Sequence, residues 1–207
     1  MTDVRKPVGP TDDPAVRARL AACHVAVVGC GGLGSNAAQM LVRAGVRELT
    51  LIDFDVVDES NLNRQLFFRD QLGRFKTEAL AETLGRIAED LTLHLHTLCA
   101  TSDSLVGLVC GCDVIIEAVD GAETKAMIAN VVTGELPDTP LVGASGLAGF
   151  GSANEIVTER IADNYYLAGD FESDVRDCLP LLASRVMVAA AHQAHAAIRI
   201  LLGHPEP

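Results

Sequence analysis

The sequence predicts an α/β fold built on a doubly wound, mainly parallel sheet with helices on both faces. Short runs rich in Val, Ile and Leu, typical of buried parallel strands, alternate with segments whose apolar residues recur at helical spacing. The first run leads into a glycine-rich turn and a helix, as in Rossmann-like folds. We expect one domain over residues 1–207, with a loose arm at 1–13, a Rossmann-like core at 24–150 and a C-terminal strand and helix extension at 151–207.

The first half of the chain predicts strands and helices in strict alternation. They are, in order, strand 24–29, helix 33–44, strand 48–54, helix 75–90 and strand 91–98. Apolar runs or alternating polarity mark the strands, and apolar residues three or four positions apart mark the helices. Gly45 provides a C-terminal stop for the first helix.

The second half repeats this alternation up to about residue 150. Its elements are, in order, helix 102–111, strand 113–120, helix 122–134 and strand 140–149. The extension is expected to hold a strand at 152–160, an irregular acidic stretch at 160–179 and an Ala-rich, mostly buried helix at 180–203.

The charge balance argues against several classes of partner. The chain carries a formal net charge of −12, whereas nucleic-acid binders and anionic-membrane binders need a basic surface. The longest apolar stretch, inside 180–203, is interrupted by His, Gln and Arg and is too polar for a membrane span. The first residues lack the apolar segment of a secretory signal, so we expect a cytoplasmic protein with reduced cysteines.

The turn VVGCGGLGSN carries a phosphate-binding pattern. Gly29, Gly31 and Gly34 stand in G-x-G-x-x-G spacing, with Gly32 added, between a predicted strand and a predicted helix. Glycines there let backbone N–H groups approach phosphates at the helix N-terminus. Asp53 ends the next strand about 20 residues later, which suits a carboxylate that accepts ribose hydroxyls. The alternative is that the glycines serve close packing of helix on sheet.

The segment from Asp53 to Lys76, DFDVVDESNLNRQLFFRDQLGRFK, changes from acidic to basic. A dinucleotide dehydrogenase has little use for several cations beside the pyrophosphate, whereas phosphoryl chemistry needs them to stabilise charge on phosphate oxygens. Arg64 can bind phosphate oxygens through two N–H groups, and Lys76 can act as a point charge. Asn61 and Gln65 are neutral donors that could orient the same group.

Two further cations, Arg69 and Arg74, lie in the same segment. A solvated surface position is the alternative for both. We favour that interpretation for Arg69 and leave Arg74 open.

These motifs resemble the MoeB/ThiF superfamily of adenylating enzymes, which is related to ubiquitin-activating enzymes. The resemblance is carried by GCGGLGSN, LIDFDVVDESNLNRQLFF, GRFKTEAL and EAVDGAETK, and it covers about residues 24–125. It implies that the glycine turn holds ATP phosphates, that Asp53 holds the ribose, and that the phosphates are positioned by Asn61, Arg64, Gln65 and Lys76.

The resemblance also implies a magnesium ligand, Asp120, at the C-terminal end of strand 113–120. That position agrees with the rule that open parallel sheets bind ligands beyond their strand C-termini, and Mg²⁺ favours carboxylate and phosphate oxygens. Asp55 is expected either to support Asp53 at the nucleotide or to cap the following turn.

The reaction implied by the resemblance begins with the C-terminal carboxylate of a ubiquitin-like sulfur-carrier protein ending in Gly-Gly. This carboxylate attacks the ATP α-phosphate and forms an acyl-adenylate with release of pyrophosphate. The short length and the continuation VGASGLAGFGS most resemble short ThiF-type enzymes of thiamine thiazole synthesis. A cysteine desulfurase as sulfur donor and a homodimeric assembly are further expectations from the same resemblance.

The chain also departs from the pattern of this superfamily. It has no C-x-x-C pair, so we expect no structural zinc, and we interpret Cys110 and Cys112 as packing residues. The arginine-rich entry segment of relatives is absent, and Arg17 or Arg19 could replace it or be ordinary helix-surface cations.

Two more departures concern possible ligand positions. Gly121 follows Asp120, where relatives carry Asn. His192 and His195 stand three positions apart on the last helix, and we interpret them as a packed or solvated pair.

Cys178 precedes the last helix, roughly where some ThiF-type enzymes carry a cysteine that joins the carrier through sulfur. A thiol near a helix N-terminus can be a good nucleophile. Its acidic neighbours favour the neutral thiol instead. A catalytic role for Cys178 is therefore one hypothesis, and a surface thiol is the other.

Two alternative functions stay open. The motif N-x-N-R-Q also occurs in superfamily dehydratases that cyclise threonylcarbamoyladenosine in tRNA, although tRNA binding would favour a more basic surface than a net charge of −12. An NAD-binding oxidoreductase or a nucleotide sensor is the alternative from a different class, and the cations between residues 64 and 76 disfavour it.

Overall fold

The computed structural model of the chain describes residues 13–206, apart from the side chain of Val175. Within this range, strands form one sheet in the order β3-β2-β1-β4-β5-β7-β6. The strands are β1 (His24–Val28), β2 (Glu48–Ile52), β3 (Thr92–His96), β4 (Val114–Glu117), β5 (Leu141–Ala144), β6 (Val157–Ala162) and β7 (Tyr165–Gly169). Every neighbouring pair is parallel except β6 and β7.

Helices connect and cover the strands. The helices are α1 (Pro14–Ala21), α2 (Gly32–Ala44), α3 (Lys76–Gly85), α4 (Ser102–Val109), α5 (Ala122–Glu135) and α6 (Ala183–Leu201). Short 3-10 turns precede α3 and α6. Between residues 13 and 206, no helix is long and apolar enough to cross a membrane.

Alternate residues of the central strands enter two separate cores. Val25 and Val27 of β1 belong to a core that includes residues of α2 and α6, whereas Ala26 and Val28 belong to a core that includes residues of α4 and α5. Because successive side chains of a strand point to opposite faces, a strand buried on both faces must be apolar throughout. The predicted doubly wound α/β fold with helices on both faces is confirmed.

The strand order places a crevice beside β1. This strand pairs with β2 on one side and with β4 on the other, so consecutive connections leave it in opposite directions. The helices after β1 and β4 therefore lie on opposite faces of the sheet. Ligands of open α/β sheets bind at such a point, beyond the carboxyl ends of the strands.

Polar contacts fix α6 across the sheet. Gln193 is fully buried, and its Nε2 donates to the carbonyl oxygens of Glu117 at 2.8 Å and Val142 at 3.2 Å. His192 Nδ1 lies 3.0 Å from Thr158 Oγ1 of β6. Gln193 and His192, two of the polar residues that interrupt the apolar pattern of this helix, thus contact neighbouring strands. His195, the second histidine interpreted as part of a packed or solvated pair, is exposed.

The prediction of an irregular stretch at 160–179 was wrong in part. Residues 165–169 form β7, because Tyr166 and Ala168 are buried and the backbone pairs with both β5 and β6. The strand predicted at 152–160 begins at Val157, since Ser152 caps a short 3-10 turn by accepting from the N–H of Asn154 at 3.2 Å.

The N-terminal end was also incompletely predicted. Residues 14–21 form α1, whose N-cap Asp13 accepts from the N–H of Ala15 at 2.8 Å. The arm predicted at 1–13 lies, up to residue 12, outside the described residues.

We expect Gly34→Ala to destabilise the protein by about 2 kcal/mol or more, because a Cβ there would overlap the carbonyl oxygen of Gly29. Gly107→Ala is the matched control, since nothing lies within 4 Å of a Cβ at this α4 position. That change should stabilise by about 0.5–1 kcal/mol through lower backbone entropy in the unfolded chain. Urea denaturation measures both, and a Gly34→Ala variant as stable as wild type would contradict the packing described.

Candidate nucleotide site

The glycine turn after β1 is held tightly between two strands. Gly29 adopts a φ of +94°, and its N–H donates to the carbonyl oxygen of Ile52 at the end of β2, 2.8 Å away. A Cβ at Gly29 would lie 2.6 Å from the carbonyl oxygen of Ala118, which follows β4. The turn therefore requires glycine both for its conformation and for its packing.

The first turn of α2 begins directly after this turn. Gly31 is its N-cap and supplies no side-chain hydrogen bond to the first N–H groups of the helix. Unpaired N–H groups and the helix dipole make such an N-terminus suitable for an anion. The structure places the four predicted glycines, Gly29, Gly31, Gly32 and Gly34, together between the carboxyl end of β1 and the first turn of α2.

Arg64 and Gln65 lie over the glycine turn. The Cγ of Arg64 would be 3.6 Å from a Cβ at Gly32, and Nε2 of Gln65 would be 3.8 Å from a Cβ at Gly31. The Oε1 of Gln65 is buried and has no hydrogen-bond partner among residues 13–206. Leaving a buried acceptor unpaired costs free energy, and a ligand donor placed over the turn would satisfy it.

Two residues that the sequence-based site did not include hold this arrangement. Asn36 Nδ2 donates to the carbonyl oxygens of Gly32 at 2.7 Å and of Arg64 at 3.0 Å. Ser35 Oγ accepts from the N–H of Leu66 at 3.0 Å. Both side chains are fully buried. Their presence in the motif GCGGLGSN was visible in the sequence, but their function as supports for residues 64–66 depends on tertiary contacts.

The guanidinium of Arg64 points along its own turn. Its Nη1 donates to the carbonyl oxygen of Ser60 at 3.0 Å and to Oδ1 of Asn63 at 2.8 Å. Asn61 Oδ1 accepts from the N–H of Asp58 at 3.1 Å, and the Asn61 carbonyl oxygen accepts from the N–H of Arg64 at 3.1 Å. Asn61 thus closes the turn that presents Arg64 in this structure.

Asp53 is tied to the glycine turn by backbone hydrogen bonds. Its Oδ2 accepts from the N–H of Cys30 at 2.6 Å, and its Oδ1 accepts from the N–H of Asp55 at 2.8 Å. Burial raises the pKa of Asp53, while these N–H groups and the Lys76 ammonium oppose that rise. Each carboxylate oxygen has a second lone pair, so both can still accept from a hydroxyl.

Lys76 forms an ion pair with Asp55. Its Nζ lies 2.7 Å from Oδ2 of Asp55, and its backbone N–H donates to the Asp55 carbonyl oxygen at 2.9 Å. The Lys76 side chain is 7 % exposed and that of Asp55 is 48 % exposed. The Asp55 side chain therefore holds Lys76, a contact that the sequence did not predict. The backbone N–H of Asp55 contacts Asp53, which agrees with the first of the two functions considered for Asp55 from the sequence.

Asp120 is exposed two residues beyond Ala118, the residue packed on Gly29. The N–H of Ala118 donates to the carbonyl oxygen of Val28 at 2.8 Å, which extends the pairing of β1 with the β4 segment. Asp120 is thus brought to the same end of the sheet as the glycine turn. Gly121, the residue after it, is the N-cap of α5.

A buried ion pair at the end of β4 was not foreseen from the sequence, although both residues stand in EAVDGAETK. Lys125 Nζ lies 2.9 Å from Oε1 of Glu117 and donates to the carbonyl oxygen of Ala144 at 3.1 Å. Glu117 Oε1 also accepts from the N–H of Val119 at 2.9 Å. Burial raises the pKa of Glu117, and Lys125 counteracts this. The pair fixes the backbone that leads to Asp120.

Cys178 stays apart from the other candidates. It is exposed, has a φ of +59°, and lies in the loop before α6. The next residues pair with the segment after β5, where the N–H of Gly149 donates to the carbonyl oxygen of Pro180 at 2.8 Å. Within residues 13–206, no hydrogen bond or ion pair joins Cys178 to the glycine turn, Arg64 or Lys76.

Of the remaining arginine candidates, Arg19, Arg69 and Arg74 contact other residues of the chain. Arg19 Nε donates to the carbonyl oxygen of Leu201 at the end of α6, 3.0 Å away, and Arg17 is exposed on α1. The other two form side-chain ion pairs, Arg69 with Glu59 and Arg74 with Glu82.

Comparison with known proteins supplies the family. The sequence model of the ThiF family matches residues 7–207. The chain belongs to the ThiF family. The resemblance that the motifs indicated is confirmed.

Relatives of this ThiF-family chain are longer than it is. Molybdopterin-synthase adenylyltransferase of Salmonella typhimurium (strain LT2) is 30% identical over 190 residues, 89% of this chain and 75% of that protein. Ubiquitin-like modifier-activating enzyme 5 of Oryza sativa subsp. japonica is 37% identical over 128 residues, 56% of this chain. The match spans 30% of the length of that enzyme.

A solved structure has the same fold as this ThiF-family chain. The E. coli tRNA N6-threonylcarbamoyladenosine dehydratase TcdA, in complex with ATP, is similar with a TM-score of 0.84 and 23% sequence identity. The similarity covers 92% of this chain and 90% of the TcdA chain.

We expect Lys125→Met to lower the free energy of unfolding near pH 8 by on the order of 3 kcal/mol, because Glu117 would be buried without its counter-charge. Without Lys125, burial would raise the pKa of Glu117 further, so the folded state would keep a proton on Glu117 that the unfolded state releases. The free energy of unfolding therefore falls as the pH rises from the unfolded-state pKa of Glu117 through its raised folded-state pKa, and it recovers as the pH is lowered. Urea denaturation at a series of pH values measures the effect.

The double variant Glu117→Gln/Lys125→Met is the control for this pH dependence. The double variant has no ionisable side chain at either position of the pair. Its free energy of unfolding, compared with that of wild type, should therefore not rise as the pH falls, unlike that of Lys125→Met. Identical pH profiles for the single and double variants would contradict the ion-pair interpretation.

Proposed function

We propose that the chain is an ATP-dependent adenylyltransferase that activates the C-terminal carboxylate of a ubiquitin-like protein. The observation that carries the proposal is the position of the Arg64 side-chain stem and of Gln65 over a glycine turn to which Asp53 is hydrogen-bonded. To reach a phosphate, the Arg64 guanidinium would exchange its hydrogen bonds to Ser60 and Asn63 for bonds to phosphate oxygens. Family membership supports it, as do relatives named as an adenylyltransferase and as a ubiquitin-like modifier-activating enzyme.

The residues fit ATP as the substrate. Its phosphates would lie over Gly31 and Gly32, where the absent side chains leave the N-terminus of α2 accessible. Its ribose would donate hydroxyl hydrogens to Asp53, and Gln65 could donate through Nε2 to a phosphate oxygen. The solved TcdA structure, a similar fold in complex with ATP, supports this choice of nucleotide.

The positive side chains would stabilise charge during the reaction. A carboxylate oxygen of the protein substrate forms a bond to the α-phosphorus, while the bond from that phosphorus to the bridging oxygen breaks and pyrophosphate leaves with the electron pair. Lys76 is largely desolvated, so its charge acts strongly on nearby phosphate oxygens. Those oxygens would share Lys76 with Asp55. The attacking carboxylate is ionised near neutral pH, so the step needs no general base.

Asp120 would hold Mg²⁺ together with phosphate oxygens. Its exposed carboxylate beyond β4 fits the preference of Mg²⁺ for one or two carboxylates plus phosphate. The ion supplies neutralisation of negative charge on the phosphates. The Glu117–Lys125 pair would position Asp120 through the backbone between them.

We further propose that the protein substrate is a sulfur carrier ending in Gly-Gly, of the type that serves thiamine thiazole synthesis. The absence of C-x-x-C pairs and the sequence VGASGLAGFGS support this branch of the family. Sulfur from a cysteine desulfurase and a homodimeric assembly belong to the same proposal.

Dehydration of threonylcarbamoyladenosine in tRNA is the second candidate. The fold similarity to TcdA favours it, and the net charge of −12 disfavours a tRNA substrate. Pyrophosphate–ATP exchange with added carrier or added tRNA separates the two. Stimulation by the carrier supports the first proposal, tRNA-dependent ATP use supports the second, and NAD binding without ATP binding would contradict both.

We expect Arg64→Ala and Lys76→Ala to reduce pyrophosphate–ATP exchange by at least about 100-fold, because each removes charge stabilisation of the phosphates. Arg69→Ala is the matched control, since Arg69 is an exposed cation of the same segment, paired with Glu59. It should retain wild-type exchange. Folded Arg64→Ala and Lys76→Ala proteins, verified by circular dichroism, with wild-type exchange would contradict the assignment.

Cys178→Ser separates adenylation from sulfur transfer. Adenylation uses no thiol, and Cys178 is exposed outside the contacts that hold Arg64 and Lys76, so the variant should retain carrier-stimulated exchange. If Cys178 accepts the carrier through sulfur, sulfur transfer to the carrier should be lost while exchange persists. Full sulfur transfer by the variant would eliminate a catalytic role for this cysteine.

A further inference from the structure

A second polar cluster lies at the amino ends of the strands, away from the glycine turn. It consists of His24, the first residue of β1, Glu48, the first residue of β2, and His94 of the edge strand β3. The register pairs His24 with Glu48 and Thr50 with His94, so all of these side chains lie on one face. One ligand atom from each of His24, Glu48 and His94 lies within 4.8 Å of the others.

The distances suit a small cation. His94 Nε2 lies 2.8 Å from Glu48 Oε1, and His24 Nδ1 lies 3.8 Å from the same oxygen. The two imidazole rings are 5.3 Å apart between centroids and inclined by 44°. A tetrahedral zinc ion at about 2.0–2.1 Å from each donor separates the donors by roughly 3.3 Å. Small side-chain rotations of the exposed Glu48 and His94 would reach that arrangement.

The contacts of His24 prepare it as a ligand. Its Nε2 lies 2.8 Å from the hydroxyl of the buried Thr50 and 3.5 Å from the thiol of Cys112. We assign the Nε2 proton to the bond with Thr50, which leaves the lone pair of Nδ1 facing the Glu48 carboxylate. Nδ1 of His24 and Oε1 of Glu48 are then two acceptors that face each other, and a cation bound between them would contact both. Metal-binding histidines are commonly oriented in this way, by a hydrogen bond from the second ring nitrogen.

We propose that His24, Glu48 and His94 form a binding site for one Zn²⁺ ion that connects β1, β2 and β3. Imidazole nitrogen and carboxylate oxygen are ordinary zinc ligands, and water can complete the tetrahedron on the exposed side. The expectation of no structural zinc considered C-x-x-C pairs, whereas these ligands are distributed over three strands.

The site would have a structural function. β1 runs from His24 to Val28, so about 13 Å of strand separates His24 from Val28, the last residue before the glycine turn. Zinc there would hold the edge strand β3, which pairs with a single neighbour. The inference is independent of the proposed adenylyltransferase activity, because it involves none of the residues assigned to ATP.

Metal titration of the full chain tests the proposal. After removal of metals with a chelator, Zn²⁺ is titrated by calorimetry, and Co²⁺ is titrated by visible absorption, which reports a tetrahedral ligand field. We expect one ion per chain and a rise in thermal unfolding temperature with Zn²⁺. His94→Ala and Glu48→Gln should each weaken Zn²⁺ binding at least about tenfold. His94 and Glu48 are partly solvent-exposed, so both variants should fold.

Two histidine variants serve as controls. His96→Ala changes a histidine on the same strand and face, and His192→Ala disrupts the His192–His195 pair on α6. Both should bind Zn²⁺ like wild type. Absence of stoichiometric binding by the wild-type chain would overturn the proposal. Wild-type affinity in both His94→Ala and Glu48→Gln, or loss of binding in His192→Ala alone, would overturn it equally.

Discussion

The close approach of three backbones at the carboxyl ends of β1, β2 and β4 is the constraint on which the rest of the structure depends. Gly29 donates to Ile52 on one side and packs on Ala118 on the other, at a distance that no side chain allows. This contact makes β1 end and α2 begin beside the crevice of the sheet. The same absence of side chains leaves helix N–H groups open to a ligand, so one packing requirement creates both the fold and the candidate site.

Cations that lie largely inside this acidic protein are paired with carboxylates. Buried or largely buried cations are each held by a carboxylate, as in Lys76 with Asp55, Lys125 with Glu117 and Arg185 with Asp170. Burial raises the pKa of Asp170, but N–H groups of residues 172 and 173 and the Arg185 guanidinium outweigh it and lower that pKa to about 2. At Lys76, a polyphosphate bound as proposed would compete with the resident Asp55 carboxylate.

Much of the fold follows from local sequence, because buried strands and helices leave periodic patterns. The sequence did not predict β7, because its five residues are flanked by acidic segments and its partner residues in β5 lie more than twenty positions away. At the candidate site, the glycine turn and Asp53 were predictable from spacing, since backbone geometry demands them. The supports Ser35 and Asn36, and the partner of Lys76, depend on which side chains meet after folding, which no spacing specifies.

The order of the strands explains why backbone N–H groups are available at the carboxyl end of β1 and polar side chains at its amino end. At the carboxyl ends, helices begin on opposite faces and leave a crevice lined by backbone N–H groups, which suits an anion. At the amino ends of β1 and β2, His24 and Glu48 lie on the same face of the sheet as His94 of the edge strand β3. There the side chains, and not the backbone, provide the atoms that could bind a cation. The proposed anion site and the proposed cation site can therefore share one strand, because the length of β1 separates them.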